Sequence, residues 1–95
     1  MAVLYISEFQ HRVYDENLPA EPSTDQTVAI GAGSVQSSAF QASTRLIRIA
    51  ADAVCSIAVG PNPTATATKR RIAANAMGEY FVVQPGWKVA VITNT

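Results

Sequence analysis

The sequence predicts an all-β fold: a single small β-sandwich of jelly-roll-like type, or a β-barrel, of about eight short strands. Three observations carry that prediction. β-branched residues sit in short apolar runs broken by Gly, Pro and Asn about every ten residues, the punctuation of strands and turns. No segment keeps apolar residues at i, i+3, i+4 and i+7 over three turns, the pattern that an amphipathic helix needs. The chain has 95 residues, close to the ~100 of a sandwich and too few for two cores.

In chain order, Ala2 to Phe9 forms the first strand. Residues 10–26 are polar and acidic and hold Pro19 and Pro22. They predict a long loop or extended arm, and loops beyond about 12–15 residues are usually functional or mobile. Asp15 and Glu16 in this arm are therefore candidate partner contacts, a plain surface loop being the other reading. Gln26 to Ile30 is the second strand and Gly31-Ala32-Gly33 its turn. Val35 to Ala42, small and polar, suits a solvated edge strand.

Thr44 to Ala50, with Leu46, Ile47 and Ile49, is the clearest strand. Asp52-Ala53 turns the chain into Val54 to Val59, which sets Cys55, Ile57 and Val59 on one face by period-two alternation. Gly60-Pro61-Asn62-Pro63 is an emphatic turn, and Thr64 to Thr68 alternates Thr with Ala as an exposed extended stretch. Arg70 to Ala74 is a sixth strand. The Ala-rich Ile72 to Met77 has room for one helical turn before Gly78. Glu79 to Gln84, a turn at Pro85-Gly86, and Trp87 to Thr93 complete the chain. The expected core is Ile47, Ile49, Cys55, Ile57, Val59, Phe81, Val83, Val89 and Val91. Tyr80-Phe81-Val82-Val83 and Val89-Ala90-Val91-Ile92 lack polar alternation, and a strand apolar on both faces needs a second cover, which a neighbouring subunit could supply.

Composition narrows the function classes. The chain is 48% hydrophobic and 15% charged, against about 25% charged in an average domain. The polar surface must then come from Ser, Thr, Asn and Gln, or part of it is covered by other protein, and a mixture of the two is the expectation. A chain of this size buries only about 65% of its unfolded surface, so association would add stability. The formal net charge of zero argues against nucleic acid as the partner. The charges are segregated, however. Residues 1–25 carry Glu8, Asp15, Glu16, Glu21 and Asp25 against Arg12, and residues 26–95 carry Arg45, Arg48, Lys69, Arg70, Arg71 and Lys88 against Asp52 and Glu79. One cysteine, Cys55, allows no intrachain disulfide. The start has no basic n-region and meets Glu8 early, unlike a signal peptide. No apolar run approaches the ~18 residues of a membrane span. The expectation is a protein made in the cytosol with no membrane partner.

Catalytic and metal chemistry find no constellation. His11 is the single histidine, and a nucleophilic triad would need it beside Cys55 or a serine. Cys55 instead alternates inward next to Ile57, as a small buried hydrophobe does. One His and one Cys give no zinc spacing, and Asp15-Glu16-Asn17 lacks the calcium-loop pattern. Gly31-Ala32-Gly33-Ser34 lacks the lysine, third glycine and following helix of a phosphate loop. The expectation is no enzyme, no metal and no cofactor. Lys69-Arg70-Arg71 is the one basic cluster. Without interleaved aromatics it is unsuited to single-strand stacking, and it reads either as a solvated strand start or as a contact for an acidic protein surface. Pro61, Asn62, Pro63 and Thr64 form the most distinctive stretch. Two prolines stiffen it and the threonines that follow supply hydroxyls to bond a partner, so these residues join the candidate contacts, a solvated loop being the other reading.

One further pattern spans residues 44–92. Thr44-Arg45-Leu46-Ile47-Arg48-Ile49 runs into Ala51-Asp52-Ala53-Val54-Cys55-Ser56. Gly60-Pro61-Asn62-Pro63-Thr64-Ala65-Thr66, Glu79-Tyr80-Phe81, Pro85-Gly86 and Lys88-Val89-Ala90-Val91-Ile92 follow. This order resembles a group of short virion proteins of tailed bacteriophages, the capsid decoration or cement proteins; residues 10–26 have no counterpart in it. The resemblance implies a sandwich on the capsid exterior of a virion assembled in the host cytoplasm. It also implies homo-oligomers, typically trimers, that bridge subunits of the major capsid protein. The competing reading is a phage fibre or adhesin-type module that binds a receptor or glycan with its end loops, for which Trp87 is the one fair aromatic.

Overall fold

The computed structural model describes residues 2–9, 24–75 and 77–94. Eight strands follow in order: β1 (Val3–Phe9), β2 (Thr24–Ala29), β3 (Val35–Gln36), β4 (Leu46–Ala51), β5 (Cys55–Gly60), β6 (Arg70–Ile72), β7 (Glu79–Val82) and β8 (Lys88–Thr93). They form two four-stranded antiparallel sheets, ordered β2-β1-β4-β7 and β3-β8-β5-β6. The molecule is a β-sandwich. Its strand order is that of an eight-stranded jelly roll whose last strand has moved to the front: β1 lies between β2 and β4, where the final strand of a jelly roll would lie.

Strand alternation explains the core. In β1, Leu4, Ile6 and Glu8 point inward, and their partners on β4 are Ala51, Ile49 and Ile47. Facing them across the sandwich are Cys55 and Ile57 of β5 and Val89 and Val91 of β8. Leu4, Ile6, Ile47, Ile49, Ile57, Val89 and Val91 are all under 3% exposed. Seven of the nine expected core residues are fully buried, while Val59 and Phe81 are half-buried against the cluster. Leu4, Ile6, Val28, Phe40, Ala51 and Ile72 complete it.

Several elements differ from the sequence reading. Thr24, Asp25 and Gln26 belong to β2, paired with Glu8, Ser7 and Ile6, rather than to a loop reaching residue 26. The rest of the expected arm, with Asp15 and Glu16, lies outside the described residues. The edge strand expected over Val35–Ala42 keeps regular pairing only at Val35 and Gln36. Beyond them the Ser37 hydroxyl takes the bond from the Val89 N–H at 2.9 Å, in place of a backbone carbonyl. Pairing resumes at Phe40, whose N–H reaches the Trp87 carbonyl at 2.8 Å. Ile72 ends a strand instead of starting a helical turn. Ala74-Asn75 then make a tight turn with Asn75 at φ 56°. Asn tolerates this left-handed conformation better than most residues. Gly86 at φ 81° supplies the turn expected at Pro85-Gly86.

Candidate interaction surface

The stretch Pro61–Thr68 is placed differently from the exposed loop its composition suggested. From the end of β5 it crosses to β3, runs back over the outer face of the β3-β8-β5-β6 sheet, and enters β6. Three polar ties hold this strap. Gln36 Nε2 donates to Asn62 Oδ1 at 2.9 Å and to the Pro63 carbonyl at 2.8 Å. The Ala65 N–H donates to Ser34 Oγ at 2.9 Å. Asn94 Nδ2 donates to Ser56 Oγ at 2.6 Å and to the Ala67 carbonyl at 3.2 Å. The alternating Thr-Ala pattern now has a cause. Pro63 and Ala65 turn down onto the sheet and are buried, while Thr64 and Thr66 face out. Outward-pointing Ser56 and Ala90 are fully buried beneath the strap. Their cover therefore comes from the same chain, not from the neighbouring subunit that the two-faced β8 suggested.

This placement sorts the candidate contacts. Pro61, Asn62, Thr64, Lys69, Arg70 and Arg71 are exposed, whereas Pro63 is buried under its own strap. Asn62 is engaged by Gln36. Arg70 is engaged as well: it forms an ion pair with Glu79 of β7 and stacks 5.4 Å above the Phe81 ring. That pair spans from β6 to β7 and closes one open edge of the sandwich. At the other edge the Gln26 side-chain amide mimics a strand, accepting from the Ser38 N–H at 3.0 Å and donating to its carbonyl at 3.2 Å. Edges blunted this way resist pairing with stray strands.

Inside this second edge lies a group that sequence reasoning missed. Glu8 is 2% exposed. It accepts from the Thr44 hydroxyl at 2.7 Å, the Gln41 N–H at 3.0 Å and Gln26 Nε2 at 3.2 Å. The inward register of Leu4 and Ile6 was the available signal, since a residue two places on must share their face. The carboxylate pins the irregular segment between β3 and β4 to the inner face of the β2-β1-β4-β7 sheet.

The outer face of the β2-β1-β4-β7 sheet carries no strap among the described residues. Phe9 and Leu46 are buried there, Phe9 with its ring 6.1 Å from Tyr80. Val82 of β7 and Tyr5 of β1 are 58% and 48% exposed, so the described residues cover this face only in part. Arg48 lies flat over Gly78, where a Cβ would meet its Nε at 2.5 Å.

Among the described residues the reactive groups do not converge. Cys55 is fully buried, and loss of solvent pushes its thiol above its ordinary range, the opposite of what an activated nucleophile requires. His11 lies outside the described residues. Among the described residues no three His, Cys, Asp or Glu side chains come together as metal ligands, and no helix is long and apolar enough to cross a membrane. Trp87, the aromatic a glycan site would use, packs against the core. No family model matches the chain, and no curated protein or solved structure matches it.

Proposed function

We propose that this chain is a structural virion protein of a tailed bacteriophage, decorating the capsid exterior and stabilising it by bridging major capsid subunits. The observation that carries the reading is where the polar side chains are used. Glu8, Gln26, Gln36, Ser37, Ser56 and Asn94 all tie strands and loops to one another, the economy of a rigid building block. The resemblance over residues 44–92 and the low charge support it further. The contact surface on this reading is the outer side of the strap and the start of β6, with Pro61, Thr64, Lys69 and Arg71 outward.

Cementing needs only moderate contacts. Each 100 Å² of apolar burial offers roughly 2.5 kcal/mol before the costs of association, and a lattice repeats the gain. The test is co-sedimentation of purified protein with phage heads that lack it. Saturable binding to mature heads is expected, with a raised temperature of head disruption. Lys69→Glu combined with Arg71→Glu is expected to weaken binding at least tenfold while the fold is kept. Absence of binding to both mature and immature heads defeats the proposal.

A further inference from the structure

Among the described residues nothing covers the outer face of the β2-β1-β4-β7 sheet, and its charges stand on opposite sides of β1. Ser7 of β1 is flanked by Asp25 on β2 and by Arg48 on β4, and Ser7 Oγ donates to Asp25 Oδ1 at 2.7 Å. One row along, Tyr5 stands between Thr27 and Ala50, 48% exposed above smaller neighbours. We propose that this face pairs with the same face of a second copy about a two-fold axis lying between the sheets and parallel to β1.

Such an axis exchanges the β2 side for the β4 side and keeps each row opposite itself. Asp25 of each copy then stands over Arg48 of the other, so one contact yields two ion pairs. An axis running across the strands would set Asp25 over Asp25 and Arg48 over Arg48, so the charge pattern selects the first. At the axis the Tyr5 side chains of the two copies meet. Packed sheets lie about 10 Å apart, which leaves room for offset stacking of two rings. Thr27 falls over Ala50, so smaller side chains fill the flanks. The opposite outer face is sealed by residues 61–68 and offers no equivalent. A single sheet face gives an interface under about 1,200 Å² in total, the range of weak, reversible pairs. The contact is isologous and makes a pair, not the three-fold assembly that the resemblance implies. It stands independently of the virion reading.

The test is sedimentation of the chain from about 1 µM to several hundred µM. The expected result is a monomer that becomes a dimer as concentration rises, with association weakened by salt. Asp25→Lys alone and Arg48→Glu alone turn each cross-pair repulsive, so each variant is expected to associate at least tenfold more weakly than the wild type. An equimolar mixture of the two restores both attractions and is expected to recover the dimer. Wild-type protein that stays monomeric or forms trimers overturns the proposal. So do single variants that pair as the wild type does, or a mixture that does not recover. Should Arg48→Glu fail to fold, Tyr5→Lys, which sets two like charges together at the axis, decides the matter: a persistent dimer overturns it.

Discussion

A buried carboxylate is the residue that holds the interior of this sandwich to its irregular edge. Glu8 accepts from a hydroxyl, a backbone N–H and an amide, and hydrogen bonds to a charged group are worth about 1.5–3 kcal/mol each. Glu8→Ala removes the acceptor and leaves the Thr44 hydroxyl and the Gln41 N–H without it, at about 1–3 kcal/mol for each orphaned group. The expected loss is about 3 kcal/mol or more, a large share of the stability of a small domain. Glu8→Gln keeps the shape and one acceptor oxygen but loses the charge, and about half that cost is expected. Urea unfolding of the two variants checks both. An alanine variant as stable as the wild type would show that the network is ornamental. In the sequence Glu8 reads as one of the N-terminal acids, because nothing local shows that residues far along the chain supply its donors.

At the scale of the element, the strap over residues 61–68 supplies the cover that the sequence assigned to a neighbouring subunit. Its alternation sets Pro63 and Ala65 against the sheet and Thr64 outside, so adjacent substitutions should differ sharply. Ala65→Glu places a carboxylate where the native side chain is 2% exposed. Burying an unpaired charge is costly enough that the strap lifts instead. A loss of about 2 kcal/mol or more is expected, with new proteolytic cleavage between Pro61 and Lys69. Thr64→Glu, pointing outward, should stay within about 0.5 kcal/mol of the wild type, and equal effects would contradict the alternation. The elements carrying most apolar burial, β4, β5 and β8, were legible because Ile47, Ile49, Ile57, Val89 and Val91 repeat at the period of a strand. The strap was not, since Thr-Ala alternation gives a solvated chain and a chain lying on a sheet the same composition. The Ser34, Gln36 and Asn94 ties that separate the two come from distant segments. β3 fell short of its sequence expectation for a related reason: the Ser37 hydroxyl competes with the backbone for the Val89 N–H, as serine does in many turns. β2 began earlier than expected because an edge strand can be polar on both faces, and Thr24-Asp25-Gln26 looks like loop until it is paired with β1.

At the scale of the whole molecule, the strand order makes a prediction about connectivity. β1 fills the place of the last strand of a jelly roll, so moving it to the end of the chain should leave the architecture intact. The positions of Ala2 and Thr93 allow it. The Ile30 N–H reaches the Ala2 carbonyl at 3.0 Å, and the Thr93 N–H reaches the Gly31 carbonyl at 2.9 Å. Ala2 and Thr93 therefore flank consecutive residues at one end of the sandwich. A linker of about six Gly and Ser residues, at up to ~3.3 Å each, spans that gap with slack. Opening the chain between Phe9 and Thr24 then gives a permutant that begins with β2 and ends with β1. It keeps every strand pair and every inward residue, and changes only the entropy of the connections, which varies slowly with loop length. Thermal and urea unfolding should put it within about 1–2 kcal/mol of the original, with the same far-ultraviolet circular dichroism. Refolding of both forms should take milliseconds to seconds, the range for sandwiches built from non-local pairs. If the permutant is unfolded while an equally long linker inserted between Phe9 and Thr24 of the original is tolerated, the β1–β2 connection itself carries folding information. The placement of β1 at the front of the chain would then be a requirement of folding and not an accident of order.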